Sequence, residues 1–125
     1  MILLVTGSRH WTQEGHDLVH DVLGKIHAKT PIKLIIHGAA SGIDSIAETW
    51  AKINEVPYLG VPAKWLSTTP KHAAGTLRNA YMADMIGLAG LKPVVLSFPG
   101  GPGTADMTRR ARKAGLKVVA IKAKR

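Results

Sequence analysis

The 125-residue sequence predicts a three-layer α/β domain, a doubly wound parallel sheet of about five strands in the order 3-2-1-4-5 with helices on both faces. Two observations carry this expectation. Five short apolar runs alternate with four longer segments of helical periodicity, the pattern of parallel strands joined by crossover helices. Three of the apolar runs break into small-residue loops, at Thr6-Gly7-Ser8-Arg9, at His37-Gly38-Ala39-Ala40-Ser41-Gly42 and at Pro99-Gly100-Gly101-Pro102-Gly103-Thr104. No linker, repeat or low-complexity segment interrupts them, so residues 1–125 read as one domain.

Met1 to Val5 is a continuous apolar run, as suits a strand buried on both faces. Thr12 is a fair N-cap, with Glu14 and Asp17 close behind it. Leu18, Val22, Leu23 and Ile26 recur at helical spacing and predict a helix over about 13–28, ended by Lys29-Thr30-Pro31. Lys33 to Ile36 is the second strand. A helix over about 43–54 follows, with Ile43, Ile46, Ala47, Trp50 and Ile53 expected inward and Asp44 and Glu48 on the other side. Val56 to Val61 is the third strand, placed at a strand start or sheet edge by Pro57. Pro62 to Pro70 is irregular, and a helix is expected over about 71–85, with Ala74, Leu77, Tyr81 and Met82 or Met85 inward. Val94 to Ser97 is the fourth strand. The helix after it runs to about Ala114, with Gly115 a suitable C′ residue. Lys117 to Lys122 is the fifth strand.

Composition narrows the function classes. Hydrophobic residues make up 46% and charged residues 20%, as in an ordinary globular chain. The absence of cysteine removes disulfides, thiolate metal sites and cysteine nucleophiles, and fits a cytoplasmic location. The run Ile2 to Val5 is too short for a signal peptide or membrane span, so no membrane partner is expected. The net charge of +9 favours anionic partners, and eight of the seventeen Lys and Arg lie between Arg109 and Arg125. Aromatics are 5%, and neither zinc-finger spacing nor an RNA-binding aromatic motif occurs, so nucleic acid is the less favoured partner. His10, His37 and His72 are scattered without a carboxylate at ligand spacing, so no metal site is expected.

In the predicted strand order the switch point lies between strands one and four, and ligands bind there beyond the C-terminal strand ends. The three loops therefore converge on one crevice. The stretch from Pro99 to Thr104, a glycine loop opening a helix, presents backbone N–H groups and a positive dipole end to an anion. Pro99, Gly100, Gly101, Gly103 and Thr104 are the candidate phosphate cradle. Gly7 and Ser8 let the first strand approach, and Arg9 supplies a planar clamp. Gly38, Ala39, Ser41, Gly42 and Asp44 form the second loop, with Asp44 either a first-turn helix residue favouring the dipole, a hydrogen-bond partner for a ribose hydroxyl or base edge, or a general base. Arg78 and Asn79 are candidate crevice residues on an otherwise apolar helix. Trp11, Trp50 and Trp65 follow helical or loop-edge packing, with Trp50 read as core; stacking of Trp11 or Trp65 on a base is the less favoured alternative.

Five segments taken together resemble the YspA-related, DUF2493-type branch of the SLOG superfamily. They are Gly7-Ser8-Arg9, His37 to Asp44, Pro62 to Trp65, Ala74 to Asn79 with Met82, and Phe98 to Met107. The resemblance spans nearly the whole chain. It implies a Rossmann-like fold, a nucleotide or nucleotide-derived ligand, and association into a homo-oligomer, for which the helix around Tyr81, Met82 and Met85 is a weak cue. Lys64 and Thr76 depart from the Asp and Pro common in that branch. A sister branch, the LOG-type phosphoribohydrolases, carries Pro-Gly-Gly-x-Gly-Thr-x-x-Glu and cleaves the N-glycosidic bond of nucleoside monophosphates. Here Pro99 to Thr104 match, but Met107 stands at the Glu position, and a thioether cannot orient water as a carboxylate can. The expectation is therefore a sensor or binding module. The alternative is a nucleotide glycosidic-bond hydrolase drawing its carboxylate from Asp44, Glu48 or Asp106; the second alternative is a basic nucleic-acid-binding protein.

Overall fold

Period-2 alternation in the apolar strands decides the layering. Leu3, Val5 and Ile35 point to one face, and Leu4, Ile36 and Val95 to the other; all six are buried to within 1% exposure. In the computed structural model, which describes residues 1–62, 73–88 and 90–123, both faces are accordingly covered. The elements run β1 (Ile2–Thr6), α1 (Gln13–Lys29), β2 (Leu34–His37), α2 (Ile43–Ile53), β3 (Tyr58–Gly60), α3 (Ala73–Leu88), β4 (Val94–Ser97), α4 (Pro102–Lys113) and β5 (Val118–Ala120). The sheet is β3-β2-β1-β4-β5 with every pairing parallel, a Rossmann-like arrangement and the order expected from the sequence.

One core lies between the sheet and α1 and α2, around Leu23, Val19, Ile46 and Trp50. The other lies under α3 and α4, around Met82, Ile86, Met107 and Ala111. Helix α1 starts where the sequence placed it, with Thr12 Oγ1 accepting from the Gly15 amide at 2.9 Å. Helix α4 ends at Ala114, and Gly115 takes a φ of 81° that closes the turn. Segments 63–72 and 89, and with them Lys64, Trp65 and His72, lie outside the described residues.

Four expected orientations are corrected. Ile53 is 68% exposed, whereas Asp44 is only 6% exposed. At about 100° per residue the buried arc of α2, which holds Ile43, Ile46, Ala47, Trp50 and Ala51, is turned toward Asp44 and away from Ile53. Glu48 is half-buried rather than fully on a solvent face. Among the described positions of α3 the buried ones include Gly75, Asn79, Met82 and Ile86, while Tyr81, two residues past Asn79, is 62% exposed; Ala74, Leu77 and Met85 lie outside the described side chains. A polar and a glycine position took the place the apolar pattern assigned to Tyr81.

The β1–α1 loop is packed against the start of α2. A Cβ on Gly7 would come within 2.7–2.8 Å of three Ile43 side-chain atoms. Gly7→Ala should therefore destabilise the protein by about 1–3 kcal/mol in urea unfolding. Ile43→Ala should cost less in the Gly7→Ala background than in the wild type, and purely additive effects would show the contact is not the cause.

Candidate ligand-binding site

The ends of β1, β2 and β4 are stitched together by their backbones. The Ser8 amide donates to Pro99 O at 3.0 Å, Phe98 N to Thr6 O at 2.9 Å, and Ile43 N to Ser8 O at 2.9 Å. A crevice of about 380 Å³ opens beside this junction, a volume in the range of small-molecule sites. Gly7, Ser8 and Arg9 line one wall, Gly38 and Asp44 the second, Arg78 and Asn79 the third, and Gly101, Gly103 and Thr104 the fourth. Loops distant in sequence meet here because β1 and β4 are hydrogen-bonded neighbours whose connections leave toward opposite faces.

Asp44 sits in the first turn of α2 but turns inward. Its Oδ2 accepts from the Gly38 amide at 3.0 Å and from the Ala40 amide at 3.3 Å. These bonds hold a loop in which Ala39 takes a left-handed φ of 54° and Gly42 one of 75°. Its Oδ1 is buried and has no hydrogen-bond partner among the described residues. Burial pushes the Asp44 carboxyl above the ordinary carboxylate range, against the opposing pull of His37, the Ala40 amide, Arg78 and the Gly38 amide.

Arg78 crosses the crevice floor from α3 and donates from Nη1 to the Gly38 carbonyl, while its Nε donates to Asn79 Oδ1 at 2.8 Å. Burial, and the nearby Arg9 charge, pull its guanidinium below the usual value, while Asp44 and Asp106 act the other way. Asn79, 3% exposed, donates to Gly103 O at 3.2 Å and to Asp106 Oδ2 at 3.0 Å, tying α3 to the first turn of α4. That first turn is left open. Its N-cap is Gly101, with no side-chain cap, Pro102 has no N–H, and the Gly103 and Thr104 amides precede the first intrahelical bond.

Several expected site residues support the crevice without lining it. Ser41 Oγ donates to Arg9 O at 2.6 Å, and a Cβ on Gly42 would meet the Ser8 and Arg9 backbone. Ala39 shapes its loop. Pro99 and Gly100 lie behind the ridge, and a Cβ on Gly100 would strike Thr104 Oγ1 and the Ser8 amide. Two candidate carboxylates stand elsewhere. His37 Nδ1 accepts from the Ala39 amide at 2.9 Å, so its Nε2 carries the proton donated to Glu48 at 3.0 Å. Asp106 is taken by Asn79, by Arg109 at 2.6 Å and by Arg110 at 3.0 Å. Burial works to raise its pKa, but bonds from Asn79 and Arg110 and the two arginine charges prevail and hold it below the usual carboxylate value. Sequence reasoning missed His10, Ala40, Gly75 and Met82 as crevice residues; for His10 the available signal was its place directly after Arg9. Trp11, 56% exposed, packs obliquely near His16 with ring centroids 6.2 Å apart.

The profile of a family described as "YspA, cpYpsA-related SLOG family" matches residues 1–67. Gene 61 protein of Mycobacterium phage D29 is 37% identical over 126 residues, which span 94% of this chain and 93% of that protein. The chain belongs to the YspA/cpYpsA-related SLOG family. Among solved structures, DNA processing protein A (DprA) from Streptococcus pneumoniae matches with a TM-score of 0.71 at 19% identity, over 98% of this chain and 50% of DprA. The protein TM1055 matches with a TM-score of 0.71 at 19% identity, over 94% of this chain and 71% of that one. The chain thus spans half the length of DprA, and at these identities both likenesses concern the fold. No helix among the described residues is long and apolar enough to cross a membrane, and no group of three or more His, Asp and Glu residues there could hold a metal ion.

In this SLOG-family member Met107 is fully buried in the core with Leu4, Met82 and Val95. A carboxylate at that position would enter an apolar core in the present helix setting. Asp44 is the one carboxylate among the described residues that lines the crevice.

The two buried acids should behave oppositely. Asp106→Ala should cost about 2–3 kcal/mol in urea unfolding at neutral pH, because Asn79 and Arg110 lose their acceptor. Its folded pKa is depressed, so the Asp106 contribution is present above the ordinary carboxylate value and lost as pH falls below it. The folded pKa of Asp44 is raised, so its ionisation costs stability as pH climbs from the ordinary carboxylate value through the folded one. Asp44→Asn, which keeps an acceptor for the Gly38 amide, should flatten that pH dependence and leave neutral-pH stability equal or higher.

Proposed function

We propose that the protein binds a nucleotide or nucleotide-derived ligand in this crevice, as a sensor or binding module. The ligand's phosphate sits at the open first turn of α4, near Arg9, and a hydroxyl or amino donor of the sugar or base bonds to Asp44. The observation that carries the reading is Asp44 Oδ1, an acceptor buried without a partner in the same crevice as an uncapped helix N-terminus. A buried unpaired acceptor costs the fold about 1–3 kcal/mol, which a ligand donor would offset. The anion end attracts phosphate through N–H groups and dipole together. Family membership supports the same ligand class.

A second reading, cleavage of the N-glycosidic bond of a nucleotide, is favoured by one observation. Burial raises the pKa of the Asp44 carboxyl, the direction that suits a general acid. Incubation with nucleoside monophosphates and chromatography for free base tests it: release that disappears in Asp44→Asn supports a reaction, whereas saturable binding without release leaves the binding module.

The cradle has its own test. A Cβ on Gly101 meets nothing within 4 Å, so Gly101→Asp folds and, as an N-cap, stabilises α4 by a few tenths of a kcal/mol. It also sets a negative charge where phosphate binds. Titration calorimetry with nucleoside 5′-monophosphates should show affinity falling by about tenfold or more while the melting temperature holds or rises. Undiminished affinity would place the ligand elsewhere.

A further inference from the structure

Two cavities flank the Pro99–Gly101 loop on its outer sides, and their charges are opposite. One, of about 330 Å³, adjoins the crevice at Ser8 and His10 and is lined by Glu14 and Asp17. The other, of about 490 Å³, adjoins the crevice at Gly101 and Thr104 and is lined by Arg109 and Arg112 with no acidic residue. It lies between α4 and the end of β5, with Ser97 and Thr108 hydroxyls bonded to each other at 3.0 Å in its wall. The ridge between crevice and basic cavity is bare backbone at Gly101, where even a Cβ would meet nothing within 4 Å. A ligand chain can cross it.

The two arginines are differently prepared. Arg109 is oriented by Asp106 at 2.6 Å and stays 72% exposed along its side chain. Arg112, one turn further, is exposed and makes no ion pair among the described residues. Asp106 is the only acid in α4, against Arg109, Arg110, Arg112 and Lys113. The charge of the helix is therefore far from balanced, and its excess borders this cavity.

We propose that the basic cavity is a second anion subsite, so that the ligand class carries two linked anionic groups, as a nucleoside diphosphate does. The first phosphate occupies the open turn of α4, the second passes over Gly101 to Arg112 and Arg109, and the nucleoside remains with Asp44. The acidic cavity on the other side repels a second phosphate, which fixes the direction. This inference rests on the preceding reading for the first phosphate.

The test compares adenosine 5′-monophosphate and 5′-diphosphate by calorimetry at low salt, in the wild type and in Arg112→Ala. An exposed charge-assisted contact supports a diphosphate preference of about tenfold, lost on raising the salt. The proposal expects that preference in the wild type, its disappearance in Arg112→Ala with monophosphate affinity unchanged, and partial retention in Arg112→Lys. Equal affinity for both nucleotides in the wild type would overturn the subsite while leaving the crevice reading intact. An equal loss for both nucleotides in Arg112→Ala would also overturn it, since a general field would then account for the effect. Binding of neither nucleotide would overturn both readings. A single-stranded oligonucleotide binding more tightly than the diphosphate, and dependent on Arg112, would overturn it in favour of a polymer in the groove.

Discussion

The Gly38 peptide is gripped at both ends, and the site depends on that grip. Asp44 accepts from its N–H and Arg78 donates to its C=O, so an anion from α2 and a cation from α3 are held apart by one peptide unit. A Cβ there would press on the Arg78 guanidinium and oblige it to shift, so glycine lets the grip close undisturbed. The arrangement keeps two opposite charges close without letting them neutralise each other fully. Asp44 therefore keeps one oxygen unpartnered, and Arg78 is pre-set by Asn79, itself anchored through Asp106 to α4. Buried networks of this kind stay ordered because each member has few alternatives in a low dielectric.

The opposite wall is built by leaving groups out. Helix α4 begins with Gly101-Pro102-Gly103, none of which caps it, although Ser, Asp or Asn at the N-cap is the stabilising choice. The helix gives up a few tenths of a kcal/mol and keeps its first amides open. Stability is supplied further along, where Met107 and Ala111 seat the helix on the sheet and Asp106 joins it to α3. Burial and openness are thus divided along one helix, with the crevice at its start and the core at its middle.

The fold was legible because it follows from patterns local in sequence. Continuous apolar runs such as Ile2–Val5 and Val94–Leu96, short and ended by glycine breaks, suit strands buried on both faces, and glycine at 115 marks a helix end. The crevice was legible one step further, since strand order brings Gly7, Gly38 and Gly101 together whatever their separation along the chain. Individual orientations were less so. Ile53 and Asp44 sit on either side of the limit of a buried arc, and a small rotation of α2 decides which is covered. Tyr81 lost its inward place to Asn79, a polar residue that periodicity counts as outward, because its amide has partners on α4. The pairing of His37 with Glu48 had no signal at all, for it joins residues eleven apart through the packing of a helix on its strand.

By itself the sequence determined the succession of strands and helices, the glycine loops that end the strands and the residue types in them, because alternation and glycine breaks are properties of short segments. The strand order came from the usual doubly wound arrangement, which the structure has. Only the tertiary structure decided which of three carboxylates faces the crevice. Asp44, Glu48 and Asp106 are equivalent as letters. Packing pairs Glu48 with His37, consumes Asp106 among Asn79, Arg109 and Arg110, and leaves Asp44 buried with an oxygen to spare. That selection depends on the angles at which α2, α3 and α4 meet the sheet, and those angles come from the side chains of the whole core acting together.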